Sequence, residues 1–135
     1  MKNPKKKGEK TEAIVLAELI KRDYVVLLPF GDNQRYDFVV DIPPSGFKKL
    51  QCKTGRLRNG SVVFNVASTA SNAKGSKNRN YKGQVDYFVV YCYENETTYL
   101  VPESVVGIKV CALRVADLPS NISKKRVHIA ADFEL

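Results

Sequence analysis

An acid and a Gln-x-Lys pair lie on two neighbouring apolar segments. Asp37 belongs to the run YDFVVDI, and Gln51 and Lys53 belong to the run FKKLQCKT. The connection at 43–46, PPSG, is typical of a β-hairpin. Because side chains alternate along a strand, Gln51 and Lys53 share one face, and folding about 43–46 brings Asp37 opposite residues 51–53.

These groups suit metal-dependent hydrolysis of a phosphodiester. The Asp37 carboxylate and the Gln51 amide oxygen are hard oxygen ligands of the kind that Mg²⁺ takes. Such a metal polarises phosphate and lowers the pKa of a bound water, and the Lys53 ammonium can stabilise charge that develops on the phosphate. The alternative is a cross-strand ion pair between Asp37 and Lys53, worth at most about 1 kcal/mol. Spacing alone does not choose between them.

A helix is predicted over residues 9–22, where apolar residues recur at helical spacing. Acids in its first turn and Lys21 and Arg22 in its last turn match the helix dipole. Glu18 precedes both cations by three and four residues, which is typical of a solvated acid. Glu12 instead stands at the N-terminal end of the apolar face. Position alone leaves Glu12 open as a functional acid or as a surface acid that the dipole favours.

Most of the remaining chain has the pattern of β-strands. One early helix followed mainly by strands, without repeats or a linker, indicates one domain over residues 1–135 of the α+β class, with a mixed sheet and helical cover. Short helical segments are predicted at 103–107 and 115–119, and the run 85–93 is predicted to be the central strand. The predicted strands are 24–29, 36–42, 47–54, 61–66, 85–93, 97–102, 108–114 and 126–130.

Composition restricts the class of protein. A chain of 135 residues that is 44% apolar can bury one core, and no stretch approaches the 18 apolar residues of a membrane span. Three cysteines without a CxxC pair and a single histidine argue against a Cys/His zinc site, and free cysteines are commonly buried. No apolar signal region follows the basic N-terminus, so we expect a cytoplasmic protein with no membrane partner.

The net charge of +8, from 22 Lys and Arg against 14 Asp and Glu, indicates a polyanionic partner. A basic surface without a charged ligand is the alternative. The cations cluster around the hairpin, in a predicted flexible arm at 1–8, and in the segment 67–84, ASTASNAKGSKNRNYKGQ. That segment lacks any helix or strand period and is predicted to be a long basic loop, which is either functional or disordered.

The chain also resembles a known group of enzymes. The segments KGEKTE, PFGDNQRYDFVVD and QCKT, which begin at residues 7, 29 and 51, together resemble the PD-(D/E)XK nuclease superfamily. Within it, the chain is similar to the group I intron-associated homing endonucleases, which the later YKGQVDYFVVYCY and YLVP also fit. The resemblance covers about residues 7–102. It implies a restriction-endonuclease-like core, a mixed β-sheet flanked by helices. Tyr36 replaces the motif's Pro, which is only a backbone preference.

The resemblance implies a role for each candidate site residue. Glu12 matches the helix acid that reaches the metal directly or through water, and Asp37 matches the metal-binding acid. Gln51 matches the second ligand, usually an acid in the superfamily and Gln in this branch. Lys53 matches the catalytic lysine, and the Cys52 carbonyl would be a further metal ligand. The implied activity is a Mg²⁺-dependent endonuclease acting on double-stranded DNA, with Mn²⁺ able to substitute.

Seven cations are candidates for DNA contact. Arg can address guanine through two hydrogen bonds, whereas Lys mostly contacts phosphate. Specifying a long site and cutting two strands favours a homo-oligomer, a dimer or tetramer. The candidates are Arg35, Arg56, Arg58, Lys74, Lys77, Arg79 and Lys82.

Two other functions fit the same residues. A structure-selective nuclease such as a Holliday-junction resolvase shares the helix acid and the Asp-to-Lys core. A DNA-binding module that has lost catalysis would explain the neutral Gln51, although Glu12 and Lys53 remain.

Overall fold

The computed structural model of the chain describes residues 3–31, 34–72, 75–80, 83–107, 109–117 and 127–135. One α-helix precedes a series of strands in these ranges, and two short 3₁₀ turns lie at Glu103–Val105 and Ala130–Phe133. The elements are α1 (Pro4–Lys21), β1 (Val25–Leu27), β2 (Phe38–Ile42), β3 (Gly46–Arg58), β4 (Ser61–Asn65), β5 (Ala67–Asn72), β6 (Gly75–Asn80), β7 (Tyr87–Cys92), β8 (Thr97–Pro102), β9 (Val110–Arg114) and β10 (His128–Ile129).

β3 is the strand on which the fold is built. Its first part pairs antiparallel with β2, its middle pairs parallel with β7, and its end pairs antiparallel with β4. β1 extends this mixed sheet beyond β2, β8 extends it beyond β7, and β9 and β10 extend it beyond β4. The predicted α+β class with a mixed sheet is therefore confirmed. The run 85–93 was predicted to be the central strand, but that place belongs to β3, and β7 lies between β3 and the edge strand β8.

The sheet buries an apolar cluster on each face. Val15 and Leu19 of α1 pack with Leu50 and Val89 on one face. Phe88 and Val90, the residues before and after Val89 on β7, belong to the cluster on the other face. These side chains are fully buried, and each such burial stabilises the fold by about 1.5–3 kcal/mol. Leu50 and Cys52 of β3 thus face α1, and these two elements carry the candidate site residues.

The helix begins earlier than predicted. Asn3 caps it, since its Oδ1 accepts hydrogen bonds from the backbone N–H groups of Lys5 and Lys6 at 3.1 and 3.3 Å, and Pro4 suits a first helical position. The predicted basic arm is therefore wrong from Asn3 onward. Glu12 consequently lies more than two turns inside the helix, where the dipole no longer explains an acid.

The predicted loop at 67–84 is also wrong. Its described part contains an antiparallel hairpin of β5 and β6, whose register runs from Ala67 opposite Asn80 to Asn72 opposite Gly75. The hairpin forms its own two-stranded sheet. Its sequence is polar and lacks the apolar alternation that marks a half-buried strand, so the pattern did not predict these strands.

Most other predicted elements are confirmed, with boundaries shifted by a few residues. The predicted helix at 115–119 is wrong for residues 115–117, which are not helical, and its last two residues lie outside the described ranges. The three cysteines are buried and free, as expected. None of the helices in the described ranges is long and apolar enough to cross a membrane.

Candidate active site

The β2–β3 hairpin places Asp37 against the backbone of β3. Its N–H donates to the Leu50 carbonyl at 2.8 Å, and its Oδ2 accepts from the Cys52 N–H at 2.9 Å. Since Phe38 pairs with Leu50, Asp37 lies beside Gln51. This is the arrangement that folding about 43–46 predicts, and it presents one side of the Asp37 carboxylate to solvent and to α1.

Glu12 approaches Asp37 from α1. The two carboxyl groups hydrogen-bond, and burial together with the neighbouring Asp37 raises the pKa of Glu12 to about 7. Burial also raises the pKa of Asp37, against the lowering effects of the Cys52 N–H, Glu12 and Lys53. The pair therefore shares a proton that Glu12 holds. Burial, which disfavours the charged form of a carboxyl group, is the larger cause of this shift, and the neighbouring carboxyl group of Asp37 adds to it.

A buried threonine fixes the helix that carries Glu12. Thr11 is 1% exposed, and its hydroxyl donates to the Lys7 carbonyl at 3.0 Å. It also lies 2.7 Å from the Thr54 hydroxyl and 2.9 Å from the Tyr93 hydroxyl. Because the single hydroxyl hydrogen of Thr11 is already used, both of these groups must donate to it.

Sequence reasoning missed Thr11 and Tyr93. A signal for Thr11 exists, since it continues the line of buried residues Val15 and Leu19 at intervals of four along α1. A threonine at the end of such a line is a buried hydroxyl that needs partners. Tyr93 comes from 82 residues away, and no local pattern marks it.

Gln51 and Lys53 are half-buried on β3, on either side of Cys52. The Gln51 amide donates to the Cys52 carbonyl at 3.4 Å, so the amide and this carbonyl lie together. Lys53 is near enough to Asp37 to lower the pKa of that carboxyl. All four predicted catalytic residues, Glu12 included, therefore meet at one place.

The Cys52 side chain is not a metal ligand in this arrangement. It packs into the cluster beneath α1, and burial, with the nearby charges of Asp37 and Glu12, raises the pKa of the thiol well above its ordinary value. A metal binds the thiolate rather than the thiol. The Cys52 carbonyl is therefore the group this residue offers to the site.

The oxygen donors fit a hard divalent cation. Two carboxylates, one amide oxygen and one backbone carbonyl are the ligand types that Mg²⁺ accepts, and a cation can replace the proton that Glu12 and Asp37 share. Within the described residues, no group of three or more His, Cys, Asp or Glu side chains is placed to hold a metal ion. A metal at this site therefore depends on Gln51 and on the Cys52 carbonyl.

Two cavities of opposite character adjoin the site. One, of about 420 Å³, is lined by Glu12 and Asp37 together with Leu28 and Tyr36 among others. The other, of about 450 Å³, is lined by Lys7, Lys53 and Arg56 among others. Because Asp37 and Lys53 belong to the same site, an acidic cavity and a basic cavity open on its two sides.

The structure places the predicted DNA contacts on several elements. Arg56 and Arg58 are exposed at the end of β3, and Arg35 is half-buried just before Asp37. Lys77 and Arg79 lie on β6. The other two, Lys74 and Lys82, fall outside the described residues.

Comparison with known proteins identifies the class of protein. A family model of the PD-(D/E)XK endonuclease matches residues 2–135, and the chain belongs to that family, as the sequence motifs predicted. Among solved structures, that of a bacterial homing endonuclease, I-Ssp6803I, has the same fold, with a TM-score of 0.76 over 98% of this chain and 88% of that chain at 24% identity. No curated protein matches the sequence.

Proposed function

We propose that the chain is a Mg²⁺-dependent endonuclease that cuts double-stranded DNA in the manner of a homing endonuclease. The observation that carries this proposal is the meeting of the hydrogen-bonded carboxyl groups of Glu12 and Asp37 beside Lys53. Family membership supports a DNA endonuclease using divalent metal, and the solved homing endonuclease of the same fold supports the finer assignment.

Four groups would hold the metal: the carboxylates of Glu12 and Asp37, the Gln51 amide oxygen and the Cys52 carbonyl. A bound Mg²⁺, or Mn²⁺ in its place, would polarise the phosphate and lower the pKa of a bound water. Lys53 would stabilise the charge that develops on the phosphate during attack. Because Gln51 is neutral, metal binding relies on Asp37 and Glu12 for negative charge.

The β5–β6 hairpin suits duplex DNA. The major groove of B-DNA admits a two-stranded β-ribbon, and this hairpin is a two-stranded sheet apart from the core, with Lys77 and Arg79 on its second strand. Arg56 and Arg58, exposed at the end of β3, would contact the phosphate backbone. A β-hairpin that enters the major groove favours duplex DNA as the substrate over a four-way junction.

A second copy of the chain would cover an apolar part of the sheet. Val25 of β1 and Phe47 of β3 both pair with Asp41 of β2, so the three share one face, and the two apolar residues are 62% and 66% exposed. A dimer or tetramer built through this face would supply one active site for each DNA strand.

Cleavage assays test the proposal against its alternatives. The purified protein is incubated with duplex plasmid and with a four-way junction, with Mg²⁺ or Mn²⁺. Discrete linear fragments support the homing interpretation, cutting of the junction alone supports a resolvase, and binding without cutting supports a DNA-binding module. Lys53→Ala should abolish cutting and leave DNA affinity nearly unchanged, whereas Lys21→Ala, which removes the same charge from the exposed end of α1, should cut normally. Equal cutting by Lys53→Ala would contradict the assignment of Lys53.

A further inference from the structure

We propose that the basic cavity beside the candidate site binds a phosphate of the DNA backbone close to the scissile one, with Lys7, Arg56 and Asn65 as its ligands. This inference rests on the proposed endonuclease function. It adds the first turns of α1 and the end of β4 to the proposed DNA-binding surface, and it gives Lys7, one of the clustered N-terminal cations, a specific contact.

The lining of the cavity selects an anion. Its described residues include three cations and no acid, and its volume of about 450 Å³ lies in the range of ligand sites. The cavity on the other side of the site is lined by two acids, Glu12 and Asp37. The described residues that line the basic cavity are Pro4, Lys7, Lys53, Thr54, Arg56, Asn65 and Ala67.

The position of the cavity limits which phosphates it can take. Lys53 belongs both to the candidate site and to the cavity wall, so the two spaces are continuous. Arg56 follows Lys53 by three residues, about 10 Å along an extended strand. Successive phosphates of one strand are separated by about 3.4 Å along the DNA axis. With Lys53 at the scissile phosphate, Arg56 therefore reaches a backbone phosphate up to about three positions away.

Lys7 is held at the cavity by an aromatic ring. Its Nζ lies 5.3 Å from the centre of the Tyr93 ring, a distance at which the ring attracts a cation. The Tyr93 hydroxyl is itself bonded to Thr11, so the ring is fixed relative to α1. Lys7 lowers the pKa of Glu94, but in the described part of the chain it has no carboxylate within ion-pair distance.

Hydrogen-bond direction restricts the donors in the cavity. The Thr54 hydroxyl lines the cavity but already donates to Thr11, so it has no hydrogen left for a phosphate oxygen. The ammonium of Lys7, the guanidinium of Arg56 and the amide of Asn65 are the remaining donors beside Lys53. Two cations and an amide can donate hydrogen bonds to the two non-bridging oxygens of one phosphodiester. Hydrogen bonds between charged groups are stronger than those between neutral groups.

Lys10 provides a matched control for Lys7. Its Nζ lies 5.9 Å from the centre of the same Tyr93 ring, and it stands one turn further along the same helix. It does not line the cavity among the described residues. Replacing either lysine removes one charge and one ring contact from α1, but only Lys7→Gln removes a proposed phosphate ligand.

The test uses a 5′-phosphorylated thymidine dinucleotide, titrated into the isotope-labelled full chain without divalent metal and followed by NMR. We expect the amide signals of Thr54, Arg56 and Asn65 to shift. Lys7→Gln and Arg56→Gln should each weaken binding by about tenfold, the loss expected for one hydrogen bond to a charged group, and Lys10→Gln should not. Equal effects of Lys7→Gln and Lys10→Gln, or shifts confined to other surfaces, would overturn the site.

Salt dependence gives a second readout on a 30-bp duplex. Lys7→Gln should reduce the slope of log affinity against log salt by about one, as for loss of one phosphate contact, and Lys10→Gln should leave it unchanged; the reverse pattern overturns the site. Both measurements report binding, so they are independent of cleavage. If no DNA is cut but Lys7 dependence is found, the cavity stands as a phosphate-binding site, while the endonuclease proposal and the place of the cavity beside a scissile phosphate both fail. If DNA is cut and the two lysines behave alike, only the phosphate site fails.

Discussion

The Thr11 hydroxyl accepts a hydrogen bond from the Thr54 hydroxyl at 2.7 Å, and so joins the residue before Glu12 to the residue after Lys53. The proposed acid and the proposed catalytic lysine lie on different elements, α1 and β3. This contact links those elements beside the site. Since Thr11 is fully paired, with Lys7, Thr54 and Tyr93 as partners, the helix cannot slide along the sheet without breaking buried hydrogen bonds.

Thr11→Val should therefore lower both stability and the rate of cutting. Valine has a similar shape but leaves the hydroxyls of Thr54 and Tyr93 without their acceptor, which costs about 1–3 kcal/mol when such groups are buried. Urea unfolding measures the first effect and the turnover rate at saturating DNA measures the second. Thr11→Ser keeps the hydroxyl and should recover the rate. If Thr11→Val loses stability but cuts at the normal rate, the contact holds the fold without positioning Glu12.

The stability of the metal-free protein should fall as the pH rises from about 4.5 to about 7. Burial and Asp37 raise the pKa of Glu12 from 4.5 to about 7, so in this range the folded chain keeps a proton that the unfolded chain has lost. Stability decreases with pH wherever the folded state binds more protons. The contribution of Glu12 is fully present below pH 4.5 and is lost by about pH 7.

Denaturant unfolding at a series of pH values checks this prediction. Glu12→Gln should make the decline shallower, because this titrating acid is gone. Part of the decline should remain, since burial also raises the pKa of Asp37. Glu18→Gln should leave the decline in place. The hydrogen bond from Arg22 lowers the pKa of Glu18 in the folded chain, and its ordinary value is 4.5, so this acid is ionised in both states over all but the lowest part of the range. A decline that is equally steep in Glu12→Gln would show that another group is responsible.

The part of the site that the sequence predicted, on the β2–β3 hairpin, follows from local rules of strand and turn geometry. Alternation along β3 and a short turn are enough to bring Asp37 to Gln51 and Lys53. Thr11 was missed because a buried threonine and an exposed one look alike until the neighbouring strands are known. The β5–β6 hairpin was missed for the opposite reason. A polar two-stranded sheet leaves none of the apolar alternation by which strands are recognised.

Gln51→Glu should keep metal binding and strengthen it. A carboxylate at this position adds a negative charge where Gln51 now offers a neutral oxygen, and hard divalent cations bind carboxylates well. Calorimetric titration with Mn²⁺ in the absence of DNA measures the affinity. Gln51→Leu has no oxygen to offer and should weaken binding. If the leucine variant binds Mn²⁺ as tightly as the native chain, Gln51 is not a ligand.

Phe47→Lys should shift the native oligomer toward monomers. Phe47 and Val25 lie on one exposed face of the sheet, and burying a side chain of this size is worth about 1.5–3 kcal/mol, which is roughly a tenfold or larger effect on association. Sedimentation velocity over a range of concentrations measures the shift. Val115→Lys changes an exposed apolar residue after β9, beyond the other side of the sheet, and should leave association unchanged. A native chain that is monomeric at concentrations where it cuts both DNA strands would exclude this face as an interface, because each monomer would then have to reach both strands with one Lys53.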